Sequence, residues 1–207
     1  MHDHGDHEHS HDHGGDGDGF DEEMHDVDWG RVRERQVARG EHVETWFDDA
    51  GIDAGDDVLE VGCGPGYVTE RLAERVGEDG RVVAFDRQLG ALASFTGDVP
   101  ENVSLVLGDA ESLPIAPCEP VTALVAYVLH HADRPARVLA ELAGALPSGS
   151  RVFVAEYAPD ADSEVGPPTH YRIAAGTIDG WLADAGFDVT DEFGYENATY
   201  AYLASVA

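Results

Sequence analysis

Residues 58–69 read VLEVGCGPGYVT. A run that is apolar but for Glu60 stops at three closely spaced glycines, Gly62, Gly64 and Gly66, and a helical pattern opens at Tyr67. This is a strand feeding a tight turn that starts a helix. Glycine in such a turn lets the backbone approach a ligand where a Cβ would collide. In doubly wound sheets, the turn at the carboxyl end of the first strand is where a nucleotide-like cofactor sits.

Outward from that turn, strand and helix patterns alternate. A helical pattern runs from about Arg31 to Asp49. Strands are expected at Val58–Val61, Arg81–Phe85, Val103–Leu107, Val121–Tyr127 and Arg151–Glu156. The helix after the glycine turn uses Val68, Leu72 and Val76, and a short helix follows near Leu89–Phe95. Pro135 begins another helix, two residues after a candidate Asp133 cap. That helix buries Val138, Leu139, Leu142 and Leu146. A last helix covers about Thr177–Ala185, and two strands with no helix between them close the chain, an antiparallel pair. The implied fold is α/β, a doubly wound, Rossmann-like three-layer sandwich with a mainly parallel sheet.

Two details select the cofactor. A dinucleotide fingerprint is GxGxxG, but here the third glycine falls one residue early and Tyr67 takes its place. Glu60 stands two residues before the first glycine, where a carboxylate would oppose a pyrophosphate but suit a ligand bearing an ammonium and a sulfonium. The pattern resembles motif I of the class I S-adenosylmethionine (SAM) methyltransferases, in the small-molecule, UbiE-like subgroup. The resemblance covers about residues 50–207 and implies seven strands, the last antiparallel and at the sheet edge.

In that resemblance Glu60, Gly62, Gly64 and Gly66 receive the methionine part of SAM. Asp86, at the end of the second strand, takes the ribose hydroxyls; capping the next helix is its other reading. Arg87 follows and lines the adenine pocket. Asp109, in GDAESLP, takes the adenine amine, with the Ala110 N–H on a ring nitrogen; a plain turn aspartate is the competing account. Tyr127 ends the fourth strand beneath the transferable methyl. His130 and His131, in LHH, are the candidate catalytic bases, since imidazole titrates near neutrality. Their other reading is a helix cap or loop brace. His170, Tyr171 and Arg172 lie where a lid or acceptor pocket would form. The region of Trp29 and the Arg31–Asp49 helix is expected to cover the cleft.

Composition restricts the alternatives. The chain has 207 residues, 42 acidic and 12 basic, for a formal net charge of −30. Every basic residue is arginine. Such a surface repels itself in dilute buffer and suits molar salt, where the screening length falls to about 3 Å. A cytoplasmic protein of an extreme halophile is expected. The acidic balance argues against nucleic acid as a substrate, because phosphate backbones are bound through Lys and Arg stripes that are lacking here. Arg31, Arg33, Arg35 and Arg39 are interleaved with Glu34, Glu41 and Glu44, which reads as a salt-bridged helix face. No apolar run is long enough for a membrane span, and no leader pattern opens the chain.

Cys63 and Cys118 form no CxxC; Cys63 reads as packing inside the turn and Cys118 as incidental. No metal centre is assigned. Residues 1–28 have almost nothing to bury and read as a disordered tail, with 29–207 as the methyltransferase domain. Its histidines His2, His4, His7, His9, His11 and His13 suit weak binding of a divalent metal, or the segment is a solvated acidic tail. The activity expected is methyl transfer from SAM to a small-molecule acceptor at O, N or C. The alternatives are a metal-binding or sensor protein on a SAM-binding fold, and an NAD-dependent oxidoreductase.

Overall fold

The computed structural model describes residues 27–38, 40–95, 99–115, 119, 121–159, 166–196 and 198–206, with only the backbone of Glu41. The histidines of the tail, Cys118 and Arg39 lie outside the described residues.

Seven strands form one sheet: β1 (Asp57–Val61), β2 (Arg81–Asp86), β3 (Val103–Leu107), β4 (Thr122–Ala126), β5 (Arg151–Tyr157), β6 (Phe187–Tyr195) and β7 (Thr199–Val206). Their order is β3-β2-β1-β4-β5-β7-β6. β1 to β5 pair in parallel, and β7 runs antiparallel to both β5 and β6. The antiparallel last strand expected from the sequence is present, but it lies between β5 and β6 rather than at the edge. The reason is burial: β7 presents Thr199 to Tyr202 and Ala204 to the interior, whereas β6 carries exposed Asp188, Asp191 and Glu192 that suit an outer strand.

Alternation along the strands divides the core into two layers. Leu59, Val61, Phe85, Val125, Val152 and Val154 face one side, where α5 (Pro135–Ala145) contributes Val138, Leu139 and Leu142 and α6 (Ala175–Ala185) contributes Ile178 and Leu182. Val58, Val82, Ala84, Leu124 and Phe153 face the other. There α2 (Val43–Asp49) supplies Trp46 and Phe47, and α3 (Tyr67–Val76) supplies Val68, Leu72 and Val76. Each fully buried side chain of this size contributes roughly 1.5–3 kcal/mol of transfer free energy.

The single helix expected from Arg31 to Asp49 is interrupted. α1 (Trp29–Ala38) ends before a 3-10 turn at Gly40–His42, and α2 follows. A Cβ on Gly40 would stand 2.1 Å from the Tyr67 hydroxyl oxygen, so the break lets the chain pass close over α3. Among the described residues, the arginines of α1 form no salt-bridged face along their own helix. Arg33 pairs with Glu70 on α3, and Glu44 pairs with Arg71, so the ion pairs join helices. Pro135 is the first residue of α5, as its fixed φ favours, but Asp133 is not its cap. Arg134 precedes the helix. Its N–H donates to Glu111 Oε1 and its Nε to Glu111 Oε2, each at 2.7 Å.

From β1 the chain winds outward through β2 and β3, then crosses to β4 on the other flank of β1. The strand order therefore reverses between β1 and β4, and a crevice opens at their carboxyl ends.

Candidate functional site

The loop after β1 is tied to the neighbouring strand. The N–H groups of Gly62 and Cys63 both donate to the Phe85 carbonyl, at 2.8 and 3.1 Å. Gly62, Gly64 and Gly66 have φ of +69°, +55° and +87°, a region that other L-residues enter only with strain. Space also requires glycine. A Cβ on Gly62 would meet Val128 at 2.6 Å, and one on Gly66 would meet the Phe95 ring at 2.1 Å. At these two positions the close approach is by the protein's own side chains, a reason for glycine that the ligand-based reading did not include.

Glu60 lies beneath this loop in the middle of the sheet, 4 % exposed. Burial is the main cause that lifts its carboxyl to about 7, Thr69 pulls it down and Asp86 adds a smaller upward push. The Thr69 influence falls short of a proper hydrogen bond, since neither Thr69 Oγ1 nor Glu60 Oε2 has a partner at bonding geometry. A buried carboxylate oxygen without a donor beside a glycine cradle fits a ligand ammonium. Cys63 is 1 % exposed, and burial, followed by Glu60 and Asp86, drives its thiol upward, so it stays protonated and packs.

Asp86 closes β2. Its Oδ2 accepts from the Gly64 N–H at 2.9 Å and its Oδ1 from the Gln88 N–H at 2.8 Å. Burial raises its carboxyl and these two bonds oppose the rise. The carboxylate thus braces the glycine loop and the start of α4 (Leu89–Ala93) together. Arg87 is exposed and reaches across the crevice, with a guanidinium nitrogen 3.3 Å from the His131 carbonyl. Asp109 follows β3 on the surface, and its Oδ1 accepts from the Glu111 N–H at 2.9 Å, a turn-forming bond. Ala110 beside it is half-buried against the core.

Tyr127 follows β4 with φ +59°, a strained value for an aromatic residue. Its ring stacks on Tyr157 at 4.2 Å, meets Trp46 edge-on at 5.4 Å, and its hydroxyl lies 2.8 Å from Thr199 Oγ1. The guanidinium of Arg172 stands 5.9 Å over the Tyr157 ring, which joins the segment after β5 to this aromatic wall.

The two histidines differ. His130 Nδ1 is 2.7 Å from Glu156 Oε2, the two side chains being 4 % and 0 % exposed. The His130 N–H also points to Glu156 Oε1 at 3.3 Å. A carboxylate only accepts, so Nδ1 carries a proton and Nε2 is the ring atom left to exchange one. The His131 ring sits 4.1 Å from that of His130. Lost hydration, then the His130 and Arg87 charges, lower it to about 4. The residue as a whole is exposed, which tempers the hydration part, but the direction leaves His131 neutral at pH 7. Glu156 was not singled out from the sequence. The available signal was a carboxylate near the end of a strand with an apolar middle, RVFVAEY.

The structure thus brings Glu60, the three glycines and Asp86 together, with Arg87 linked to His131 and Tyr127 joined to His130 through Tyr157. Asp109 and Ala110 form a separate turn after β3. A recess of about 520 Å³ between Leu113–Ile115 and α5 touches none of these residues, and the adjoining 116–118 lie outside the described chain. Among the described residues no group of three or more His, Cys, Asp or Glu is placed to hold a metal, and no helix is long and apolar enough to cross a membrane.

A methyltransferase-domain family model matches residues 58–149. The ubiquinone/menaquinone biosynthesis C-methyltransferase UbiE of Hahella chejuensis is 28% identical over 116 residues, 54% of this chain and 47% of the relative. The chloroplastic 2-phytyl-1,4-beta-naphthoquinone methyltransferase of Arabidopsis thaliana is 30% identical over 115 residues, 52% of this chain and 44% of the relative. The chain spans under half the length of these curated relatives. A SAM-dependent methyltransferase from Aquifex aeolicus shares the fold with a TM-score of 0.77 at 20% identity, covering 88% of this chain and all of the other. Residues 58–149 thus match a methyltransferase domain, on a fold shared with a SAM-dependent methyltransferase of known structure.

Proposed function

We propose that residues 29–207 form a catalytic unit that methylates a small molecule carrying an acidic hydroxyl of phenol or quinol type. The observation that carries this reading is the buried His130–Glu156 pair beside the Tyr127–Tyr157 stack, at the strand end next to the glycine loop. SAM supplies an electrophilic methyl on its sulfonium. Glu60 and the glycine loop hold its methionine end, Asp86 its ribose, and Asp109 with the Ala110 N–H its adenine. Arg87 closes the adenine side.

His130 is the base: Glu156 holds Nδ1–H, and Nε2 would take the acceptor proton as the acceptor oxygen bonds the methyl and the methyl–sulfonium bond breaks, releasing S-adenosylhomocysteine. His131, held neutral, offers the second imidazole of the site. The stacked tyrosines give a flat wall that suits an aromatic acceptor. Alignment of acceptor and methyl contributes most, since well-oriented reactants gain about 7–11 kcal/mol in favourable cases. The naphthoquinone and UbiE-type relatives support a small aromatic acceptor. The acidic, lysine-free surface supports work in a salt-rich cytoplasm.

The test supplies methyl-labelled SAM and the purified chain, in molar KCl, to a fractionated cell extract and to a panel of hydroquinones and phenols. Label is expected in extractable small molecules and lost on His130→Ala. Label confined to protein or RNA overturns the acceptor class. Absence of S-adenosylhomocysteine binding overturns the whole reading.

A further inference from the structure

α1 occupies a position that core packing does not explain, because none of its residues is buried. Polar and aromatic contacts hold it instead. Arg33 donates to the Pro65 carbonyl at 2.9 Å, inside the glycine loop, and pairs with Glu70 on α3. At the other end, a Cβ on Gly90 of α4 would stand 2.7 Å from the Trp29 indole nitrogen. The helix therefore bridges the elements that follow β1 and β2. Asp28 fixes its start by accepting the Arg31 N–H at 3.0 Å.

Gln36 lies one turn beyond Arg33. Its Nε2 would be 3.3 Å from a Cβ on Gly64, so the amide rests on the middle glycine. Its Oε1 is sealed from solvent and has no hydrogen-bond partner, and Glu60 Oε2 on the strand leading into the same loop is in the same condition. Two buried acceptors thus adjoin one loop, each lacking a donor. Natural proteins rarely leave such atoms unmet, and those that persist point to a partner. A primary ammonium carries three donors and a positive charge, enough for a carboxylate and an amide oxygen together. Of the groups in SAM, the hydroxyls offer one donor each, the carboxylate none, and the adenine amine, uncharged with two donors, goes to Asp109 in the proposed reading, which leaves the α-ammonium as the match.

We propose that Gln36 is a second acceptor, with Glu60, for the α-ammonium of the cofactor, so that α1 forms one wall of the SAM site. This rests on the glycine loop being that site. Arg33 then acts as the pin that holds the wall in place.

Calorimetric titration of the full-length protein tests it with two ligands, S-adenosylhomocysteine and its deaminated analogue, in which hydrogen replaces the ammonium; competition against the former measures the weaker ligand. The wild-type preference for the aminated ligand is expected to fall about 10-fold in Gln36→Leu, the effect of one charge-assisted hydrogen bond of about 1.4 kcal/mol. Gln36→Glu keeps an acceptor there and retains the preference. An unchanged preference in Gln36→Leu, or equal weakening of both ligands, overturns the assignment. Failure of the wild type to bind S-adenosylhomocysteine instead removes the reading of the loop itself.

Discussion

His130 and Glu156 form a dyad across two neighbouring strand ends, Nδ1 to Oε2 at 2.7 Å, with both side chains almost closed to solvent. β4 and β5 are paired in register up to Ala126 and Ala155, so the sheet itself sets their separation. Glu156 receives the imidazole Nδ1–H and faces the His130 main-chain N–H, and thereby fixes both the ring's tautomer and the turn that carries it. Glu156→Ala takes this acceptor from both His130 donors and from the Tyr157 N–H, at a cost of about 1–3 kcal/mol. Denaturant unfolding in high KCl checks that figure. Glu156→Gln keeps one acceptor oxygen and is expected to lose less stability. In turnover, His130→Ala is expected to lower kcat about 100-fold or more, with KM for SAM little changed. Glu156→Gln should fall between that variant and wild type.

Glu60 gives a pH dependence with a definite sign. Its folded pKa of about 7 lies above the ordinary 4.5, so the folded state holds the extra proton between those values. Its contribution to stability is then full below pH 4.5 and is lost as pH rises through about 7. By linkage the whole swing is about 3 kcal/mol. Glu60→Gln cannot ionise, so its stability relative to wild type should improve by that order between pH 4.5 and 8. Paired melting curves of the two proteins isolate the term. A cationic ligand reverses the preference: binding favours the carboxylate and releases a proton. S-adenosylhomocysteine affinity should therefore rise across the same window in wild type and stay flat in Glu60→Gln. Equal pH profiles for the two proteins would exclude Glu60 as the titrating group.

Gly66 combines a left-handed backbone with a ring against its Cα. Gly66→Ala introduces about 1–2 kcal/mol of backbone strain and a collision with Phe95. The double variant Gly66→Ala, Phe95→Ala removes the collision and keeps the strain. Thermal unfolding should find the single variant the less stable about this contact, after the cost of Phe95→Ala alone is subtracted. If the two changes prove additive, Phe95 does not enforce glycine there.

How far the sequence carried depended on the range of the interaction. β1, the glycine turn and α3 were legible because apolar runs, glycines and the period of Val68, Leu72 and Val76 are local signals. β3 was found at its observed bounds for the same reason. The break at Gly40 had a local signal in the glycine, yet its cause is Tyr67, a residue on another helix. Glu111, not Asp133, meets the backbone ahead of α5, over a separation that no capping pattern spans. The interior place of β7 follows from which strand could leave its side chains in water, a property of the whole sheet. Glu156 and Gln36 escaped notice because a carboxylate near the end of a strand and an amide on a polar helix are ordinary in sequence. Only the folded chain shows what they face.

The charge of the chain leads to a last prediction. With 12 arginines against 42 carboxylates, 30 negative charges remain unbalanced even if every arginine is paired. The pairs that do form, such as Arg71 with Glu44 and Arg75 with Asp48, sit at the surface and contribute little each. Repulsion among the remaining carboxylates therefore dominates the salt response. Its range shrinks from about 10 Å at 0.1 M salt to about 3 Å at 1 M. Added KCl should raise Tm steeply up to about 1 M and more gently beyond, where screening is complete. Sucrose at matched osmolality should reproduce only a small part of the gain, because it stabilises without screening. Lowering the pH toward 5 in dilute buffer protonates part of the carboxylate set and should narrow the gap between low and high salt. A Tm independent of KCl below about 0.5 M would show that self-repulsion is not the governing term, and the proposal that this protein works in a salt-rich medium would fall with it.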